Sequence, residues 1–169
     1  MTEPRLLLAL DQNFPTPLIA AVKQYLPTDI GLSHIFGIDP RLSDLSDRNL
    51  FIALKQLGYD GLVTNNYKML DVPEEVAAVI KTKAVVVAVE ALGHDPIRAV
   101  GALLLELPHL ADRVRPNTSN VFRLRYQRRQ PDDGWTYLSA AAVRLQRTAE
   151  DLWDEVKVTE QELTQRLLD

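Results

Sequence analysis

The sequence predicts an α/β fold: a three-layer domain with a mainly parallel central sheet between helices. Three observations predict it. Apolar runs of strand length, near residues 5–10, 30–35, 61–64 and 84–89, alternate with segments of helical spacing. The run Ala84-Val85-Val86-Val87-Ala88-Val89 is dense in β-branched residues and does not alternate, so both of its faces are buried, as in a covered parallel sheet. The bulk composition is that of a globular chain, with 169 residues, 46% hydrophobic and 25% charged, enough for one core without staples.

The elements follow in order. Leu6-Leu7-Leu8-Ala9-Leu10 is the first strand and stops at Asp11-Gln12-Asn13-Phe14. Pro15 then sets up a helix over residues 16–25, with Leu18, Ile19, Val22 and Tyr25 on one face. Residues 30–35 form a short strand, and Asp39-Pro40 marks the loop after it. The next helix covers Leu45 to Leu57, with Ser46 as N-cap, Asp47 in the first turn and Gly58 as the stop. Gly61–Thr64 is a strand, Pro73-Glu74-Glu75 opens a helix with acids at its positive end, and the Val-rich strand runs out at Glu90. Asp95-Pro96 begins another helix, which Pro108 bends or ends.

From Arg113 the character changes. Residues 121–128 alternate, with Phe122, Leu124 and Tyr126 on one face and Arg123, Arg125 and Gln127 on the other, as in a half-exposed edge strand. Residues 130–134 form a turn. A long helical pattern over 138–168, broken near Val158-Thr159, closes the chain, with Trp135 and Tyr137 as core anchors at its start. The expected organisation is an α/β domain over 1–112 and an extension over 113–169 packed on it.

The net charge of −4 and the absence of cysteine exclude thiolate metal sites, disulfides and a cysteine nucleophile, and argue against a broadly basic nucleic-acid surface. Charge is segregated, however. Six arginines and no acid lie between Arg113 and Arg129, and six acids against the single Lys157 lie between Glu150 and Glu162. No apolar run approaches membrane-spanning length, and the first run lacks the flanks of a signal peptide. The expected location is the cytoplasm, with no membrane partner.

Ligands of doubly wound sheets collect beyond the carboxyl ends of the strands, and Asp11 stands there. Asp11 reads either as a working carboxylate or as an Asx-turn, and Asp47 either as a ligand or as a helix-dipole acid. Glu90 reaches the same sheet edge if its strand is parallel to the first, and Asp71 lies on a nearby turn. Asp44 is a solvated loop acid, and Asp60 belongs to the opposite edge because it precedes its strand. His34 reads as a core or edge residue, His109 as a helix-end residue, and His94 as a loop residue near the crevice. Clustered carboxylates suit Mg²⁺ or Mn²⁺, whereas no phosphate-binding glycine loop and no His-Glu-x-x-His motif is present.

Three stretches, Leu10-Asp11-Gln12-Asn13, residues 46–51 (SDRNLF) and residues 63–68 (VTNNYK), resemble the motifs of PIN-like nuclease domains, especially VapC-type toxins of toxin–antitoxin pairs. The resemblance covers residues 5–90. It implies a metal-dependent endoribonuclease, with Asp11 and Asp47 as ligands of Mg²⁺ or Mn²⁺ and Asn66 and Glu90 as further ligands or water-positioning groups. It also implies an RNA substrate and a cognate antitoxin as partner. The arginine strand itself reads in three ways: as solvated rim residues, as an RNA track in which Arg123 and Arg125 hold phosphates, or as a docking surface for an acidic or C-terminal segment of a partner. The apolar positions of the terminal helix can pack on the domain or on a second chain, so a homodimer is one assembly. The chain departs from the family by carrying Gln12, Asn49, Asn66 and Lys68 where acids are usual. Those amides bring no charge and Lys68 repels a cation, which leaves the alternative of a catalytically degenerate module that binds protein or RNA.

Overall fold

In a computed structural model, residues 5–14, 16–90, 95–125, 131 and 133–164 are described. The chain divides into two compact units, Met1–Gln127 and Arg128–Asp169. The division falls at 127/128 and not at 112/113, because the arginine strand is hydrogen-bonded into the sheet of the first unit.

That sheet has five strands: β1 (Leu6–Leu10), β2 (Ile30–His34), β3 (Gly61–Thr64), β4 (Val85–Glu90) and β5 (Asn120–Arg125). All are parallel, in the order β2-β1-β3-β4-β5. The helices of the first unit are α1 (Thr16–Lys23), α2 (Ile35–Ile38), α3 (Asp47–Gln56), α4 (Pro73–Thr82) and α5 (Pro96–Arg113).

Strand side chains alternate between two cores. Leu6, Leu8, Leu10, Val85, Val87 and Val89 pack with Val22 of α1 and with Leu103, Leu107 and Leu110 of α5. Ala9, Leu62, Val86 and Ala88 face the other way, onto Leu50, Phe51 and Leu54 of α3 and Ala78 and Val79 of α4. This is the α/β three-layer arrangement the sequence predicts, consistent with a PIN-like domain. The chain leaves β1 to one side for β2 and then returns past it to β3, so the order reverses between β1 and β3. A crevice opens beyond the strand ends at such a reversal.

Several local expectations change. The segment after Asp39 is a 3₁₀ turn, Pro40–Asp44, so α3 starts at Asp47. Pro108 does not end α5, which runs on to Arg113 with Leu107 and Leu110 fully buried on either side of it. In the second unit the long helical pattern is three short helices, α6 (Gly134–Arg144), α7 (Ala149–Val156) and α8 (Glu160–Thr164); the break near Val158-Thr159 is present, and a further one separates α6 from α7. Gln146, at φ 55°, turns the chain and Thr148 caps α7 through the Asp151 amide at 3.1 Å. Trp135 and Tyr137 are both exposed instead of anchoring a core, and Trp135 meets Trp153 edge to face at 5.8 Å. Tyr126 to Gln130, His94 and residues 165–169 lie outside the described residues.

Gly61 starts β3, packed against the backbone of β4. It pairs with Val85, and a Cβ built on it would lie 1.7 Å from the Val85 carbonyl oxygen. Among the described residues no helix is long and apolar enough to cross a membrane.

Candidate functional site

Asp11 closes β1 with its amide donating to the Val63 carbonyl of β3 at 2.9 Å, which fixes its side chain at the β1–β3 reversal. The residue is only 8% exposed. Its Oδ2 accepts a 2.7 Å bond from the Thr64 hydroxyl and a 3.3 Å bond from Asn13 Nδ2. Thr64 is buried at the end of β3, and its Oγ1 also accepts from the Asn66 amide at 3.0 Å. One hydroxyl thus orients the carboxylate and shapes the turn that carries Asn66.

Asp47 arrives from the other side. It is the first residue of α3, where Ser46 accepts from the Asn49 amide, and its Oδ2 accepts a 2.9 Å bond from Asn66 Nδ2. Burial and then the negative charge of Asp11 push the Asp47 carboxyl above its ordinary range, against the Asn66 bond, which lowers it. Asp47 therefore senses the charge of Asp11 across the crevice, and Asn66 links the two residues through Thr64. Three of the candidates, Asp11, Asp47 and Asn66, are brought together.

Glu75 completes the acidic set and was not singled out by the sequence reading. It lies in the first turn of α4, which Arg48 of α3 tethers by donating to the Glu74 carbonyl at 3.1 Å. Burial, then Asp47 and Glu74, raise its carboxyl above the ordinary range. Its Oε2 is buried and has no hydrogen-bond partner among the described residues. The sequence signal was the Glu74-Glu75 pair, which helix-dipole chemistry alone accounts for.

Glu90 does not join them. It ends β4, at the same edge of the sheet as Asp11 but with β3 between, and its carboxylate is held by Arg123 Nε and Arg125 Nε of β5. Burial works to raise the Glu90 carboxyl, but the bonds from Arg125 and Arg123 outweigh it and hold the group below its ordinary range. Both arginines are thereby engaged with an acid and do not form a bare cationic track.

The remaining residues sort plainly. Gln12, Asp44, Asn49, Lys68 and Asp71 are exposed. Asp60 sits at the opposite end of the sheet, where its Oδ2 accepts from the Leu7 amide at 2.8 Å. His34 is buried, its Nδ1 accepting from the Phe36 amide and its Nε2 donating to the Phe14 carbonyl at 3.0 Å, so it braces the segment after Asp11. His109 is exposed on α5.

The donor set fits a hard divalent cation. Among the described residues the Asp11 and Asp47 carboxylates share the crevice with no sulfur or imidazole beside them, Asn66 Nδ2 donates to Asp47, and a buried carboxylate oxygen of Glu75 lacks a partner. The set is open. Among the described residues no three acids or histidines stand close enough to hold an ion by themselves. Mg²⁺ is commonly bound by one or two carboxylates, with water and substrate phosphate filling the rest.

The acidic set has a measurable cost. A carboxyl raised above its unfolded value disfavours the folded state while ionised, and that penalty fades as pH falls through the folded pKa and is gone below the ordinary values of 3.8 for Asp47 and 4.5 for Glu75. In EDTA, Glu75→Gln is expected to stabilise the chain by about 0.5–1 kcal/mol near pH 7, with the gain lost near pH 4. Urea unfolding at both pH values checks this. A loss of stability, or an equal gain at both, would show that the Glu75 charge is not strained. Glu90 has the opposite sign: its contribution is present above 4.5 and disappears as pH falls through its lowered pKa.

No family model matches the chain, and no curated protein and no solved structure matches it.

Proposed function

We propose that the chain is a metal-dependent endoribonuclease that hydrolyses RNA phosphodiesters, and that it serves as the toxin of a toxin–antitoxin pair in the cytoplasm. The observation that carries the reading is the meeting of Asp11 and Asp47 at the β1–β3 reversal, with an unpartnered buried oxygen on Glu75, whose carboxyl feels the Asp47 charge. Asp11 and Asp47 would hold Mg²⁺ or Mn²⁺, with Asn66 and Glu75 beside them. When bound, the metal supplies polarisation of a phosphate oxygen and an activated water.

The chain's own residues do the positioning. Thr64 keeps Asp11 in one rotamer by donating to it, and Asn66 does the same for Asp47. The N-terminus of α3 adds a partial positive charge near Asp47, favourable to an incoming phosphate.

Saturable Mn²⁺ binding measured calorimetrically tests the site apart from turnover. Asp47→Ala is expected to weaken it by about a hundredfold, the scale on which lost metal-site interactions act. Equal binding by parent and variant would remove Asp47 from the site. The second reading, a degenerate binding module, is favoured by the lack of a compact three-acid group among the described residues and by Asn66 standing where the family carries an acid. That reading predicts no saturable Mn²⁺ binding at all.

A further inference from the structure

A second surface lies away from the acidic crevice. Among the described residues β5 is paired on one side only, by β4, so its other edge presents unpaired backbone amides and carbonyls. Beside that edge α5 carries an apolar stripe at helical spacing: Ile97, Gly101 and Leu105, with Ile97 83% and Leu105 76% exposed. Between them runs a groove of about 610 Å³, lined by consecutive residues of β5 from Val121 to Arg125 and by that stripe. Lining by successive residues, from both faces of the strand, means that the groove follows the strand's free edge. Gly101 leaves its middle open, since nothing lies within 4 Å of a Cβ built there.

We infer that this groove receives an extended acidic segment of a partner protein, added to β5 as a sixth strand. Only a strand can satisfy the row of backbone donors and acceptors while setting alternate side chains down on the stripe. The acidic character follows from the charges. Four arginines line the groove; Arg98 pairs with Asp95 at 3.1 Å and Arg113 with Glu106, so the excess positive charge lies at Arg123 and Arg125. Arg113 bonds Glu106 at 2.8 Å and lies over the Phe122 ring at 5.3 Å, which holds its guanidinium at the rim. Arg123 and Arg125 share one carboxylate, Glu90, which balances only one of them. A carboxylate on the added strand would sit across from that pair, a favourable cross-strand contact. A second copy of this chain would instead set β5 arginines against β5 arginines, which is destabilising. A nucleic acid would satisfy the arginines but leave the apolar Ile97–Leu105 stripe uncovered.

The test uses the full chain and a fluorescein-labelled peptide of alternating Val and Glu, followed by fluorescence anisotropy. Three controls accompany it: the same peptide with Lys for Glu, the same peptide with alternate backbone amides methylated, and a single-stranded RNA as competitor. The acidic peptide is expected to bind and to weaken with salt, whereas the Lys and methylated peptides do not bind. Gly101→Trp fills the groove and is expected to reduce binding by at least about tenfold, the scale of closing an apolar pocket. Leu105→Gln, on an exposed position that burdens folding little, is expected to act in the same direction. Absence of binding by the acidic peptide overturns the inference, as does equal binding by the Lys or methylated peptide. RNA that displaces the peptide, and whose own binding Gly101→Trp abolishes, would make the groove a nucleic-acid surface and overturn it too.

Discussion

Asp11→Asn is expected to lower metal-dependent RNA cleavage by about a hundredfold or more while leaving the fold intact. The two halves of that expectation come from the same hydrogen bond. Asn is isosteric with Asp, so the Thr64 hydroxyl can still donate to its side-chain oxygen, and the 2.7 Å contact that closes the β1–β3 crevice survives. Removing the charge also relieves the field that raises the Asp47 carboxyl, so stability is expected to hold or rise slightly. What is lost is one of two formal negative charges proposed to hold the cation. Charge stabilisation by a bound metal amounts to several kcal/mol of barrier, and each 1.36 kcal/mol is about a factor of ten in rate. The measurement is cleavage of a structured RNA pool with Mg²⁺, Mn²⁺ or EDTA, parent beside variant, with unfolding curves for both. Cleavage by the variant at the parental rate would sink the nuclease reading. A variant that is inactive because it is unfolded would show it in the unfolding curve and would speak to the fold instead.

The sheet was legible because buried parallel strands write themselves as unbroken apolar runs: β1, β3 and β4 read directly, and β5 read as an edge by its alternation. Helix ends in the second unit were less so. Apolar periodicity runs on through residues 145–148, although the chain turns there. The cue was in the residue types: Thr148 with Asp151, and Thr159 with Glu162, are capping pairs, and Thr159 and Glu162 bond reciprocally. Pro108 shows the reverse case, where packing of Leu103, Leu107 and Leu110 carries the helix through a residue that usually breaks it.

The site divides along similar lines. Asp11 and Asp47 are visible because a strand end and a helix start are local features. Thr64 is not, because its value depends on β1 and β3 being neighbours in a register that sets Leu10 beside Val63, and no single segment states that. Glu75 is hidden by an adequate local explanation, the helix dipole, until its unpartnered oxygen is seen. Glu90 fails in the other direction. Its place at the sheet edge was inferred correctly, but the pairing of β4 with β5 gives it to Arg123 and Arg125.

Gly61→Ala is expected to be the most damaging single-methyl change in the first unit. The reason is not conformational freedom. The Cβ would enter the space of the Val85 backbone, 1.7 Å from its carbonyl oxygen, 2.6 Å from the carbonyl carbon and 2.8 Å from the amide nitrogen. A clash with a flexible side chain can be relieved by a rotamer change, whereas this one requires β3 to move away from β4. The ladder from Gly61–Val85 to Thr64–Ala88 would have to open, and both cores meet along it, Val63 and Val87 on one face, Leu62 and Val86 on the other. Overpacking of a tight core costs about 1–3 kcal/mol, and obstruction by backbone belongs at or above the top of that range. Urea unfolding should therefore show a loss of about 3 kcal/mol or more, set against a total stability of roughly 5–15 kcal/mol for a domain. Because β3 also carries Thr64, metal affinity should fall with it, as the Asp11 carboxylate loses its orienting donor. A variant with the parental midpoint would mean that β3 and β4 are not paired in this register.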